Sequence, residues 1–167
     1  IREHYLPTGP ETKTPKKPYS ITLAMSDKLD TLSGFFSINL KPTSSKDPFA
    51  LRRSAIGLIR LIVENKLEIK LKDIINYSFM LFSEQDVNFD IKLVQQELYS
   101  FISDRLRFYM KEKNIRPDII ECSMSSYNTD QIYKIFNKAQ ILNKLIDKNI
   151  GQDIIFSYKR ASNILND

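Results

Sequence analysis

The fold class is decided by residues 47–65, which read DPFALRRSAIGLIRLIVEN. Asp47 followed by Pro48 combines a favoured helix cap with a residue suited to the first helical turn. Beyond them, apolar residues recur at the spacing of one helix face, at Leu51, Ala55, Leu58 and Ile62. The segment is therefore predicted to form an amphipathic helix that begins at Asp47 and ends near Asn65.

Similar spacing recurs on both sides of this segment. It predicts further helices over residues 18–36, 71–82, 90–113, 118–125, 129–147 and from 152 onwards, with Thr129 as a cap and Gly151 as a separator. The first helix carries an apolar stripe of Ile21, Met25, Leu29, Leu32 and Phe36, and the last carries Ile154, Tyr158, Ala161 and Leu165. Only residues 66–71 alternate like a strand, so the predicted fold class is all-α.

Composition restricts the cellular setting. Cys122 is the single cysteine, which excludes an internal disulfide and a multi-cysteine zinc site and suits a reducing compartment, so we predict a cytoplasmic protein. No apolar run approaches the about 20 residues of a membrane span. Because the chain opens at Ile1 without an export signal, we expect Ile1 to lie inside a longer polypeptide.

The net charge of +5 and the sequence pI of about 9.2 favour an anionic partner such as a nucleic acid. Lysine, asparagine and isoleucine are all abundant, as in proteins from AT-rich genomes. Mutational bias is therefore an alternative source of the basicity, and the positions of the charges must decide between the two.

Residues for catalysis or metal binding are sparse. His4 is the only histidine, and the chain has no glycine-rich phosphate loop, GxSxG elbow or Cys/His pair. Asp27 and Asp30 lie opposite the apolar stripe of the first helix, where they either bind a cation or basic partner or form a solvated face. We predict no catalytic site and no metal site.

Arg105 interrupts an apolar helix face formed by Val94, Leu98, Phe101, Ile102 and Tyr109. Leaving a buried charge without its partner costs about 3–5 kcal/mol. We therefore predict that Arg105 pairs with a carboxylate or carbonyl as a structural ion pair, with contact to RNA as the alternative.

Arg107 and Lys111 point away from that apolar face, and Arg116 follows in the next loop. Exposed lysine and arginine supply most of the sequence-independent affinity for nucleic acid. These three residues are our first candidates for phosphate contacts.

The last helix supplies a second set of candidates. Phe156, Arg160 and Asn163 share the face opposite its apolar stripe, with Lys159 at the edge. An aromatic ring beside cations and an amide can stack an unpaired base. Packing of Phe156 on a neighbouring helix is the alternative, because exposed phenylalanine is unusual.

Several motifs carry a family resemblance when they are taken together. They are HYLP at 4–7, LAMSDKLDTLSGFF at 23–36 and KPTSSKDPFALRR at 41–53, followed by shorter pieces at 101–106, 116–120, 158–160 and 163–165. Their sequence and order closely resemble the β subunit of bacterial two-subunit glycyl-tRNA synthetases. The stretch at 41–53 is the most specific of them.

The resemblance implies the domain organisation. Residues 1–65 would be the C-terminal part of an HD-like helical domain, and residues 66–167 an anticodon-binding-like helical domain, similar to that of arginyl-tRNA synthetases and incomplete at its C-terminus. Asp27 looks like the terminal aspartate of the HD pattern, but the upstream His and His-Asp elements are absent from the sequence. Pro117 stands where the family usually has histidine, so the resemblance carries over no side-chain contact at this position.

The resemblance also implies the function. In such enzymes the α subunit activates glycine with ATP and magnesium, while the β subunit binds tRNA(Gly), and the two assemble as a hetero-tetramer. This chain would contribute tRNA recognition on the anticodon side, with no cofactor of its own. The alternatives are a helical scaffold for subunit interaction and a remnant of an HD-type phosphohydrolase.

Overall fold

A computed structural model describes residues 2–83, 90–125, 130–146 and 148–165. The side chains of Ser83, Asn149, Ile150, Lys159, Asn163 and Leu165 are outside this description. Within these ranges the chain is all-α, without strands, as predicted. Its helices are α1 Pro18–Ser37, α2 Leu51–Glu64, α3 Leu71–Ser83, α4 Ile91–Glu112, α5 Pro117–Met124, α6 Ile132–Ile146 and α7 Asn149–Leu165.

The predicted bounds of α1, α3, α4 and α5 are confirmed to within a residue or two, but α2 begins at Leu51 and not at Asp47. Residues 48 and 49 form a turn, and Ala50 has a left-handed backbone with φ of 56°. The carboxylate of Asp47 nevertheless accepts the backbone N–H groups of Leu51 at 2.8 Å and Arg52 at 3.0 Å. Asp47 therefore caps α2 from one turn before the helix.

The prediction that Gly151 precedes the last helix is wrong, since α7 already begins at Asn149. The α6–α7 connection turns tightly at Lys148, whose N–H donates to the Leu145 carbonyl oxygen and whose own carbonyl oxygen accepts from Gly151 N–H. A Cβ at position 151 would lie 2.3 Å from the Leu145 carbonyl oxygen, so glycine permits this turn. The predicted cap Thr129 lies outside the described residues.

One hydrophobic core connects α1 to α6, with α4 at its centre. Leu32 of α1, Leu58 of α2 and Leu98 of α4 are fully buried, and Phe136 of α6 joins the same cluster. The apolar stripe predicted for α2 is confirmed, because all of its members are buried. The core contains residues from both sides of residue 65, and the division into two domains there stays a prediction.

The N-terminal segment is fixed to α1 and α2 by buried polar contacts. Lys28 of α1 lies over Gly57 of α2, where a Cβ would be 2.6 Å from the lysine Cε. The Lys28 Nζ donates to the Tyr5 carbonyl oxygen at 3.1 Å. Burial lowers the pKa of Lys28, and the charge of Asp27 opposes this shift. Lys28 therefore holds the chain at Tyr5 next to the contact between α1 and α2.

The face of α7 predicted to be buried is exposed, so that prediction is wrong. Ile154 is 58% exposed and Tyr158 73% exposed, and Ala161 is exposed as well, while the side chain of Leu165 lies outside the description. The helix packs on α6, which covers only a small part of its surface. None of the helices in the described ranges is both long and apolar enough for a membrane span.

Candidate nucleic-acid interface

Arg107 occupies the outward face of α4, as predicted, but carboxylates surround it. Its Nε donates to Glu121 Oε1 of α5 at 3.0 Å, and its Nη1 donates to Asp104 Oδ1 at 3.1 Å. Both contacts are solvent-accessible, and exposed ion pairs contribute about 0–1 kcal/mol each. An approaching phosphate can therefore compete for this guanidinium at small cost. Lys111 is exposed one turn further along α4.

Arg116 occupies the position before α5, next to this surface. Its guanidinium forms two parallel hydrogen bonds with Asp118, from Nε at 3.1 Å and from Nη2 at 2.8 Å. These hydrogen bonds lower the pKa of Asp118. The backbone N–H of Arg116 donates to Asn143 Oδ1 of α6. Because Arg107 contacts Glu121 of the same short helix, the cations of α4 and α5 share one surface.

Phe156 and Arg160 form an exposed pair on α7. The phenylalanine is 62% exposed, and the Arg160 guanidinium carbon lies 5.4 Å from its ring centroid. This exposure disfavours the alternative that Phe156 packs on a neighbouring helix. The side chains of Lys159 and Asn163 lie outside the described residues, so their roles stay predictions. α6 contacts both α5 and α7 and so connects the two groups of candidates.

The ion pair predicted for Arg105 is not found among the described residues. The guanidinium carbon instead lies 5.9 Å from the ring centroid of Phe101 and 5.8 Å from that of Phe108. Its Nε is buried and has no hydrogen-bond partner in the described ranges. The residue is half-buried on the apolar side of α4, so its predicted position is correct but its neighbours are aromatic rings and not a carboxylate.

The Arg105 side chain lines a groove, termed the α2–α4 groove. The groove lies between residues 7–11 of the N-terminal segment and the facing sides of α2 and α4. The groove has a volume of about 510 Å³. Its ionisable side chains are Glu11, Arg52, Arg53, Arg60, Glu64, Arg105, Tyr109, Glu112 and Lys113. Sequence periodicity did not predict this site because its walls come from three separate segments. The available signal was a polar stripe on α2, formed by Arg53, Arg60 and Glu64 at helical spacing.

Arg60 and Glu64 hold one wall of the α2–α4 groove in place. The Arg60 Nε donates to Glu64 Oε1 at 2.7 Å, while Nη1 and Nη2 donate to the carbonyl oxygens of Gly9 and Thr12, also at 2.7 Å. Thr14 donates to the other oxygen of Glu64. Burial raises the pKa of Glu64, but the hydrogen bonds from Arg60 and Thr14 and the nearby positive charges outweigh it, so this pKa lies below its usual value.

Metal binding has little support in the described ranges. They contain no group of three or more histidine, cysteine, aspartate or glutamate side chains that could hold a metal ion. The His4 ring lies against the Tyr5 ring in a tilted arrangement, with ring centroids 3.8 Å apart, and Cys122 is exposed.

Comparison with known proteins adds the family relationship. A family model described as "Glycyl-tRNA synthetase beta subunit" matches residues 1–125. Relatives named "Glycine--tRNA ligase beta subunit" include those of Dinoroseobacter shibae, at 36% identity over 98% of this chain and 26% of the relative. The relative of Cereibacter sphaeroides is 37% identical over 98% of this chain and 24% of its own length. That of Rhodospirillum centenum is 38% identical over 99% of this chain and 22% of its own length. The chain thus spans about a quarter of the length of these relatives.

Proposed function

Because the chain belongs to the glycyl-tRNA synthetase beta-subunit family, we propose that it holds tRNA on the anticodon side during the attachment of glycine. Glycine activation with ATP and magnesium would occur in the α subunit, within a cytoplasmic hetero-tetramer. The observation that carries the proposal is the exposed Phe156 ring with Arg160 beside it. A hydrophobic ring at the surface next to a cation suits an unstacked base and its phosphate.

The basic residues of α4, of the loop before α5 and of α7 would supply the electrostatic part of binding. Arg107, Lys111, Arg116 and Arg160 are accessible to a folded RNA. Arg107 pairs with Asp104 and Glu121, and Arg116 pairs with Asp118, and these ion pairs orient the two arginines without burying them. Sequence-independent phosphate contacts of this kind position an RNA, while base stacking adds the shape preference.

A salt-dependent titration tests the proposal. The chain is titrated with tRNA(Gly), and with a tRNA of unrelated anticodon, at several salt concentrations. Alanine is then placed together at Arg107, Lys111, Arg116, Lys159 and Arg160. For every phosphate that these side chains neutralise, the substitution should reduce the slope of log affinity against log salt by about 0.7–0.9.

A charge-matched control separates a local surface from net charge. Alanine at Lys13, Lys17, Lys46, Lys66 and Lys70, all exposed, removes the same number of positive charges elsewhere. This variant should keep most of the affinity for tRNA(Gly). Equal losses in the two variants, or no loss in either with the fold intact, would refute the proposed surface.

A helical scaffold is the second candidate, favoured by the exposed apolar side chains of α7. Ile154, Tyr158 and Ile164 are all exposed there. Docking of an α subunit through such residues would be insensitive to salt, whereas tRNA binding would weaken as the salt concentration rises. Titration of the chain with purified α subunit across the same salt range therefore distinguishes the candidates.

A further inference from the structure

We propose that the α2–α4 groove binds a nucleotide, with Arg105 and Arg53 holding its phosphate. This site differs from the outward face of α4, because Arg105 and Arg107 are two positions apart and point to opposite sides of the helix. The ligand class is a nucleoside monophosphate, either free or as one residue of an RNA strand. Only the RNA strand as the source of the nucleotide rests on the proposed function.

The charge of the groove favours an anion. The glutamate at position 64 is already neutralised by Arg60. Four further cations, Arg52, Arg53, Arg105 and Lys113, then face only two carboxylates, Glu11 and Glu112. A concave surface with a positive excess concentrates anions, because its low-dielectric walls focus the field.

Arg105 is the residue best placed to contact a phosphate. Its guanidinium lies beside the rings of Phe101 and Phe108, and its buried Nε has no hydrogen-bond partner in the described ranges. This half-buried cation has no carboxylate partner in the described ranges, so a bound anion would supply the missing opposite charge. The planar guanidinium matches a phosphate with two parallel hydrogen bonds, and the rings limit its movement beforehand.

The walls of the groove indicate more than inorganic phosphate. Phe108 is 49% exposed and lines the groove together with Ile56 and Tyr109. A volume of about 510 Å³ lies in the range of small-molecule sites and exceeds the need of a single phosphate. A nucleotide satisfies both features, since its base covers an aromatic wall while its phosphate reaches the arginines.

Titration of the chain with AMP, followed by calorimetry and by proton NMR of the tyrosine rings, tests the site. Inorganic phosphate and adenosine serve as the two separate parts of the ligand. AMP should bind at least about tenfold more tightly than either part, and the Tyr109 resonances should shift. Inorganic phosphate should displace AMP at high concentration.

Variants identify the residues. Arg105→Gln and the exposed Arg53→Gln should each weaken AMP binding about tenfold, the loss expected for one charge-assisted hydrogen bond. Lys92→Gln is the control, because this exposed cation lies on α4 about 20 Å from Arg105 along the helix and should leave AMP affinity unchanged. If Arg105→Gln fails to fold, Arg53→Gln still decides the outcome.

A short single-stranded RNA distinguishes the two sources. AMP binding that depends on Arg53 and Arg105 supports a free nucleotide, and RNA binding with the same dependence but without AMP binding supports a strand. The proposal would be overturned if neither AMP nor RNA binding depended on Arg53 and Arg105 in variants that melt like the parent. Arg107, Lys111, Arg116 and Arg160 do not line the groove, so the five-residue variant should keep its AMP binding whether or not its tRNA affinity falls. The two proposals can therefore fail separately.

Discussion

Helices α2 and α7 have similar sequence patterns but opposite environments. Both place apolar residues at helical spacing, and both carry cations on the other side. In α2 the apolar residues Leu58 and Ile62 are fully buried. In α7 their counterparts Ile154 and Tyr158 are mostly exposed, although the spacing is equally regular.

The difference arises from the neighbours of each helix. α2 contacts α1, α4 and α6, whereas α7 packs on α6. Hydrophobic stabilisation is proportional to the apolar area removed from water, so the same spacing stabilises α2 more than α7, whose apolar residues Ile154 and Tyr158 remain mostly exposed. A periodic pattern identifies the apolar face of a helix but not whether another element covers it.

The largest expected contrast is in unfolding free energy after truncation of an apolar side chain. Leu58→Ala should lower it by about 2–5 kcal/mol, because the substitution leaves a cavity in a close-packed core. Ile154→Ala should change it by less than about 0.5 kcal/mol, since that side chain already meets solvent. Urea denaturation of the two variants gives the comparison. Equal midpoints would show that α7 is covered in solution.

The next effect concerns the Arg60–Glu64 pair of α2. Glu64→Gln should lower the unfolding free energy by about 1.5–3 kcal/mol at pH 7, as expected for hydrogen bonds to a charged group. The folded-state pKa of Glu64 is depressed, so its stabilisation is present above the unfolded pKa and is lost as pH falls through the folded value. The gap between parent and variant should therefore shrink below about pH 4.

Melting curves at several pH values measure this gap. Lys134 and Glu68 form an exposed pair elsewhere, so Glu68→Gln is a matched control that should have little effect at any pH. A gap for Glu64→Gln that stays constant down to strongly acidic pH would contradict the assigned pKa direction.

A smaller effect is expected at the beginning of α2. Asp47→Ala removes the acceptor of the Leu51 and Arg52 backbone N–H groups and should cost about 0.5–2 kcal/mol. Asp47→Asn keeps one carbonyl oxygen and should recover part of that loss. Denaturation midpoints of both variants test the order. An alanine variant as stable as the parent would show that solvent caps α2 equally well.

The smallest effect on stability should follow from Phe156→Ala in α7, below about 0.5 kcal/mol, because the ring is exposed. Binding should respond instead. Loss of a stacked base would weaken affinity for tRNA(Gly) by about 1–3 kcal/mol without changing its salt slope. Arg160→Ala should reduce the salt slope. A large drop in melting temperature for Phe156→Ala would assign the ring to packing.

The sequence predicted features that depend on local order along the chain. Helix positions, the apolar face of α2 and the outward position of Arg107 follow from spacing within one segment. The neighbours of Arg105 and the α2–α4 groove depend on contacts between segments far apart in sequence. The start of α2 was misplaced because Ala50 adopts a left-handed backbone that residue preference does not predict.

The tethered N-terminal segment has a consequence for susceptibility to proteases. Residues 5–16 form no long helix, yet five of them are fastened by side-chain hydrogen bonds, namely Tyr5, Gly9, Thr12, Thr14 and Lys16. Proteases need several consecutive residues released from the protein surface. Trypsin should therefore cut after Lys13, which is exposed between two of these anchors, only as fast as the whole segment lifts from α2.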